Sequence, residues 1–402
     1  MKVLFLMLDL PNEIGSSNLY LDLALEFYDN GHNVFIIAPS LNSKKNSINI
    51  EFGMKVLRVK SMKQKGIGSI FLKGLAQTLL PFQFKKAYKQ YLSKESFDLI
   101  LMPTPPITLI NAASYIKKSN NAKLYLILRD IYPQGAADIG LVKSKLMYNY
   151  LRYLEIKTYK TADIIGCMSP KNIDFILKNN PFVNKENLTL LPNWQKDMPL
   201  LDSLSKTSTV IKQKYGLENK FIVLFGGTIG YAQRVENIIK LGIYCSKYED
   251  VRIVIIGSGV KKKYLQQLVS THKLKNVYFF DQLPRDEYIA FAKLADIGLI
   301  TIDERFTVPT IPSKTVTYFS LSLPILAVID AHTDYPDLLA AANAGIWSIG
   351  GDDEDMYKNF DILYNNRKLR IEMGKCGYLY FLNHLTATKA YTNIMNQIKE
   401  YL

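Results

Sequence analysis

The chain has 402 residues, 48% of them hydrophobic and 21% charged, which excludes a disordered polyampholyte and suffices for two domain-sized cores. The 50 Lys and Arg against 36 Asp and Glu leave a net charge of +14, so an anionic ligand or surface belongs among the partners. Three cysteines without a C-x-x-C pair and four histidines without ligand spacing argue against a disulfide framework and against a zinc site.

In chain order, the apolar run Val3–Leu8 predicts a buried first strand. It is short, ends at Asp9 and Pro11 and lacks a small-residue cleavage site, unlike a signal peptide. A loop containing Gly15 follows, then an amphipathic helix to about Tyr28 and a strand at Asn33–Ala38. That is a βαβ unit whose loop lies at the carboxyl edge of the sheet, where Gly15 permits close approach of a ligand. Further strands are expected at Lys55–Val59, Asp98–Met102, Lys123–Leu128 and Ala162–Met168.

Between the first two of these, residues 61–94 interleave lysines, among them Lys73, Lys85, Lys86 and Lys89, with Leu72, Leu75, Leu79, Phe82 and Phe84. Such interleaving suits an interfacial segment on anionic lipid; it also suits ordinary helices that cover a sheet while their lysines stay solvated. No uncharged run approaches the roughly 20 residues of a membrane-spanning helix. The expectation is a cytoplasmic chain, peripheral on the inner face of the plasma membrane. Arg129-Asp130-Ile131-Tyr132-Pro133 directly follows a strand, where active-site loops gather, and its opposite charges admit a plain salt bridge as well. Leu191-Pro192-Asn193-Trp194 closes the first half. The polar stretch 195–209 reads as a linker.

The second half restarts the pattern. Phe221–Phe225 is a strand, Gly226-Gly227-Thr228-Ile229-Gly230 a glycine loop, and a helix opens near Ala232-Gln233-Arg234. Glycines so placed let backbone amides approach a diphosphate, and Arg234 can add charge-assisted bonds. Val251–Ile256 and Asn276–Phe280 are further strands, the latter followed by Gln282-Leu283-Pro284. Gly298–Ile302 is an apolar strand leading into a loop with Asp303 and Glu304. A helix then begins at Ser313-Lys314, whose free N–H groups and added lysine charge suit a phosphate, unless Ser313 is only an N-cap. Asp353-Glu354-Asp355 reads as a helix start rather than a metal site.

The run Pro312-Ser313-Lys314-Thr315, Tyr318-Phe319, Pro324-Ile325-Leu326-Ala327 resembles the donor-nucleotide segment of bacterial family 4 glycosyltransferases, of the kind that build surface, capsular and O-antigen polysaccharides. Arg129–Pro133 with Gly140-Leu141, Pro192-Asn193-Trp194, and the texture from Gly227 through Gln233 to Glu236-Asn237 resemble the same group in the same order, over nearly the whole chain. The resemblance implies an α/β, GT-B fold: two Rossmann-like domains with parallel sheets facing a central cleft. Residues 1–195 would form the acceptor- and membrane-facing domain and 196–379 the nucleotide-sugar domain, with 380–402 crossing back onto the first.

It further implies retaining, metal-independent transfer of a hexosyl or N-acetylhexosaminyl group from a nucleotide-diphosphate sugar, a UDP-sugar, to a lipid-linked or surface-polysaccharide acceptor, with no cofactor. Gly15, Gly227, Gly230, Arg234, Leu283, Glu304, Ser313, Lys314 and Thr317 would hold the donor. Asp130, with Arg129, would contact the donor sugar or acceptor hydroxyl. The family's usual glutamate pair falls at Pro309 and Thr317, neither acidic, with Asp303 and Glu304 the nearest acids. That departure keeps open a non-catalytic GT-B subunit supporting a partner transferase in an assembly complex. A GT-B sugar-nucleotide epimerase would need a histidine in a cleft loop, and none is convincingly placed. A nucleic-acid binder lacks any recognition module.

Overall fold

The computed structural model describes residues 1–11, 17–40, 45–62, 70–197 and 211–399. The chain divides into two compact units, one of Met1–Lys196 with Ala387–Leu402 and one of Asp197–Thr386. Each is a Rossmann-like α/β unit.

The first unit is built on β1 (Lys2–Leu6), β2 (Asn33–Ser40), β3 (Ser47–Glu51), β4 (Met54–Lys60), β5 (Leu99–Thr104), β6 (Lys123–Leu128), β7 (Ile164–Cys167) and β8 (Leu188–Leu190), in the order β3-β4-β2-β1-β5-β6-β7-β8. All pairings are parallel except β3 with β4. Val3, Leu4, Phe5 and Leu6 of β1 are fully buried because helices cover both faces, so unbroken apolar runs replace alternation. The β3–β4 hairpin is absent from the sequence expectation. β3 is an exposed edge strand whose Ser47-Ile48-Asn49-Ile50-Glu51 offers too little apolar run to stand out.

Helices α1 (Leu19–Asp29), α2 (Ile70–Tyr91), α3 (Ile110–Asn120), α4 (Gln134–Asp138), α5 (Lys145–Thr161) and α6 (Pro170–Asn179) complete this unit. The last helix, Ala387–Lys399, packs on α1. Its Ala387, Ala390, Ile394 and Ile398 recur at helical spacing and are buried in the core of the first unit. The Tyr391 ring meets Phe27 edge-on at 4.9 Å, and the Tyr391 hydroxyl lies 2.9 Å from His32 Nε2. Tyr125 and Thr189 hydroxyls both donate to Gln397 Oε1, at 3.0 and 2.7 Å. The preceding helix, Arg367–His384, stays with the second unit.

The second unit carries β9 (Phe221–Gly226), β10 (Val251–Ile256), β11 (Val277–Phe280), β12 (Ile297–Thr301), β13 (Ile325–Ile329) and β14 (Gly345–Ile349), all parallel, in the order β11-β10-β9-β12-β13-β14. The strand order reverses at β9, so the loops leaving β9 and β12 diverge to opposite faces and leave a crevice at their carboxyl ends. Asp353-Glu354-Asp355 begins the helix Asp353–Asn365, with Asp352 Oδ1 accepting from Asp355 N at 3.0 Å and Asp353 bound to Lys240.

Ile394→Ala removes a fully buried side chain from the first core. It is expected to cost about 2–5 kcal/mol in urea unfolding of that unit. A change within experimental error would mean that the terminal helix does not pack there in solution.

Candidate functional site

At the carboxyl ends of β9, β10 and β11 lies a cavity of about 320 Å³, lined by Gly226, Gly227, Thr228, Ile256, Gly257, Ser258, Gln282, Leu283, Tyr288, Ser313, Lys314 and Thr317. Its floor is a close meeting of two strand-end loops. Gly227 N donates to Ile256 O at 2.8 Å, and Ile229 N donates to Ser258 O at 2.9 Å. A Cβ on Gly257, at φ +152°, would stand 1.9 Å from the Gly227 carbonyl oxygen, so backbone meets backbone only because the side chain is missing. Gly227, at φ +110°, leaves room for Lys314, whose Cε would lie 3.3 Å from a Cβ there.

Lys314 opens the helix Lys314–Ser320. This helix is short and Ser313 makes no capping bond, so the charge at this place comes from the lysine side chain rather than from a long helix dipole. Lys314 Nζ rests 4.5 Å from the centroid of the Phe225 ring and has no ion pair among the described residues. Desolvation lowers its pKa to about 8. Behind it, Tyr318 OH accepts from Gly226 N and donates to Leu224 O, each at 3.1 Å, which fixes the helix against β9. Burial pushes the neighbouring Tyr288 phenol up to about 12. A Cβ on Gly226 would collide with that phenol, at 2.0 Å.

Four of the sequence candidates for donor binding therefore meet in one cavity with Gly227: Leu283, Ser313, Lys314 and Thr317 complete the set. Gly230 lies outside its lining, with its N–H donating to Gln233 Oε1 at 3.0 Å. Arg234 also lies outside it. Its guanidinium pairs with Glu304 at 3.1 Å and approaches Glu236 at 3.9 Å. The cause is the anchoring of its loop to the end of β12, where Asp303 N donates to Ala232 O at 2.9 Å and the Thr301 hydroxyl donates to Gln233 O. Arginine and Glu304 are thereby brought together and turned to each other. Gly15 lies outside the described residues. Tyr288 and the Ile256–Ser258 loop went unassigned in the sequence, because an inward-facing tyrosine on a helix carries no local signal of what it faces.

In the first unit, Arg129 follows β6 and is buried. Its Nη1 donates to Leu191 O at 2.8 Å and its guanidinium lies 4.6 Å from the Trp194 ring, while Nε and Nη2 find no hydrogen-bond partner among the described residues. Burial lowers its pKa to about 10. Trp194 Nε1 in turn donates to Leu19 O at 2.6 Å. Asp130, beside it, has an exposed side chain, yet desolvation raises its carboxyl pKa, with the Arg129 charge opposing. Arg129 is thus a wall residue tying the chain exit at Leu191–Trp194 to β6, and Asp130 is the member of the pair that reaches solvent.

On α2, Lys85 and Lys89 lie 4.2 and 5.1 Å over the Tyr115 ring, while Lys86 is exposed; the side chain of Lys73 is outside those described. The helix has an inner face of Ala76, Leu80, Phe84 and Ala87 and an outer stripe of Leu72, Leu75, Leu79 and Phe82, exposed by 38–63%. Among the described residues no helix is long and apolar enough to cross a membrane, and no group of three His, Cys, Asp or Glu side chains is placed to hold a metal.

Residues 207–379 match the family model described as Glycosyl transferases group 1. The chain is 24% identical over 279 residues to the probable glycosyltransferase WbjE of Pseudomonas aeruginosa, covering 68% of this chain and 67% of that one. It is 25% identical over 245 residues to the putative colanic acid biosynthesis glycosyl transferase WcaI of Escherichia coli, covering 60% of each.

Among solved structures it is similar to WaaG, a glycosyltransferase involved in lipopolysaccharide biosynthesis, with a TM-score of 0.67, 15% identity and 98% of both chains covered. It is also similar to Anabaena HepE in complex with UDP, with a TM-score of 0.69, 13% identity and all of both chains covered. These likenesses show the fold, which is GT-B, as the sequence implied.

Because the Lys314 value lies below 10.5, the folded chain binds fewer protons than the unfolded chain between about pH 8 and that value. The charged lysine therefore costs stability below this window, and the cost vanishes as pH rises through it. Lys314→Met is expected to raise Tm by about 2–4 °C at pH 7, read by calorimetry. An unchanged or lowered Tm would make Lys314 part of the structural framework.

Proposed function

We propose that the chain is a retaining glycosyltransferase that takes a nucleotide-diphosphate sugar, a UDP-sugar, as donor and works without a metal. The observation that carries this is a lysine ammonium with no ion pair among the described residues, set in a cavity floored by the backbone of Gly227 and Gly257 at the switch point of a parallel sheet. Departure of a nucleoside diphosphate leaves growing negative charge on phosphate oxygens. A cation already fixed and poorly solvated stabilises that charge without reorganising at the moment of reaction. Leu283 and Gln282 border the nucleoside end in this reading, and Ser313 and Thr317 add hydroxyls beside Lys314. HepE was solved with UDP, and WbjE and WcaI are named as transferases, which supports the same assignment. Asp130 then meets the sugar or the acceptor hydroxyl, with Arg129 positioning it.

The acceptor is lipid-linked or a surface polysaccharide in this proposal, and the outer stripe of α2 rests on an anionic membrane face. A helix apolar on two faces has more oily surface than its sheet can cover, and Lys86 stands beside the stripe to meet lipid phosphate. Leu75→Gln, Leu79→Gln and Phe82→Gln combined are expected to reduce co-sedimentation with phosphatidylglycerol vesicles by about tenfold or more. Undiminished binding would remove α2 from the membrane.

The donor is tested by thermal shift against UDP, GDP, ADP and CMP with chelator present. One diphosphate at about a hundredfold excess over its Kd should stabilise by about 2.7 kcal/mol, and Lys314→Met should weaken its affinity by about tenfold to a hundredfold. No shift from any nucleotide would shift the reading to a non-catalytic subunit held in a complex by a partner transferase.

A further inference from the structure

Helix α5 is apolar on two sides. Ser144 caps its start by accepting from Met147 N, and Leu151, Leu154 and Tyr159 turn inward. With them goes Glu155, which is buried, pairs with Arg152 and accepts from the Tyr159 hydroxyl at 3.0 Å. On the opposite side Leu146, Tyr150 and Tyr153, spaced i, i+4 and i+7, form one stripe exposed by 83, 45 and 61%. Met147, exposed by 51%, stands beside its start. One apolar face is enough to cover a sheet, and side chains this solvated add little to the core. A contiguous patch of leucine, methionine and two tyrosines marks a contact outside the chain.

The neighbouring charges select the occupant. Between residues 140 and 161 stand Lys143, Lys145, Arg152, Lys157 and Lys160, and the one acid is the buried Glu155. Lys143 and Lys145 are exposed at the end where the stripe begins. A second copy of the chain seated on this face would set these lysines against their own counterparts, with no exposed acid on α5 to offset them. An anionic lipid surface meets them with phosphate. It also takes the leucine and the tyrosine rings, whose apolar bodies and hydroxyl tips suit the boundary between acyl chain and headgroup.

The place of α5 in the fold agrees. From β4 to β5, β5 to β6 and β6 to β7 the chain steps in one direction across the parallel sheet, so right-handed crossovers put α2, α3 and α5 in one layer. There α3 packs against both of the others. The outer stripes of α2 and α5 face away from the sheet on either side of it. We infer that α5 is a second lipid-contacting helix, its Leu146–Tyr150–Tyr153 stripe resting on an anionic membrane with Lys143 and Lys145 on the phosphates.

This inference rests on the membrane reading of α2 for the face as a whole, and the test separates the two. Co-sedimentation of the full chain with phosphatidylglycerol vesicles compares wild type with a variant combining Leu146→Gln, Tyr150→Gln and Tyr153→Gln. Binding is expected to fall by about tenfold or more. Unchanged binding overturns the inference, and if the α2 variant still loses binding, the reading of α2 stands. A loss in the α5 variant with none in the α2 variant upholds α5 and removes α2. Lys143→Glu with Lys145→Glu is also expected to weaken binding by about tenfold or more; no change would overturn the charge argument that chose lipid. Tyr153→Trp keeps the test independent of the triple variant's folding. Vesicles of brominated phosphatidylglycerol should quench its emission beyond the quenching of wild type, and no added quenching overturns the contact. A wild-type dimer that the triple variant turns into a monomer, with vesicle binding unchanged, would make the stripe a self-contact and overturn the lipid assignment.

Discussion

Parallel pairing of β9 with β10 on one side and β12 on the other is the constraint from which the site follows. A parallel sheet sends every strand-end loop to one edge, and a reversal of strand order opens a crevice there. The loops after β9 and β10 then share that edge so closely that a side chain at residue 257 would strike the carbonyl of Gly227. Tyr318 ties the helix bearing Lys314 to Leu224 and Gly226 of the same central strand. The lysine therefore reaches the cavity on a rigid support rather than on a loose loop.

The chemistry at this edge is governed by charge left uncompensated. Around the cavity, Arg234, Arg305, Lys214 and Lys262 are each matched to a carboxylate. Among the described residues Lys314 is not, and its ammonium rests over the face of Phe225. Such an arrangement is unfavourable for the folded chain alone, because desolvation penalises the charged ammonium. The first unit shows a related economy. Arg129 is buried, has two donors without a partner among the described residues and stacks on Trp194, so the same residue that braces the chain exit beside α1 also sits next to the exposed Asp130.

Much of this was legible in the sequence. Unbroken apolar runs such as Phe221–Phe225 marked buried parallel strands, since a strand covered on both faces needs no polar alternation. Gly227 and the Ser313-Lys314 helix start could be picked out because tight loops and helix starts have local residue preferences. The exposed strand β3 could not, having neither a clean period nor an apolar run. On α2 the sequence showed basic and apolar residues interleaved, but which leucines faced the sheet was not written in their order. Leu80 and Leu79 are adjacent, and one is buried while the other is exposed.

The sequence by itself determined the strand and helix periods, the places where backbone is free of side chains, and the lysine that opens the helix after β12. These are properties of residues and their near neighbours. Only the tertiary structure decided how charges were shared: that Arg234 faces Glu304 and not the cavity, that Gly230 stands aside, and that Tyr288 closes the floor over Gly226. Electrostatic partners and cavity walls are set by approach in space between segments far apart in the chain, and a change of a few ångströms decides which arginine is neutralised and which lysine lines a cavity without a carboxylate partner among the described residues.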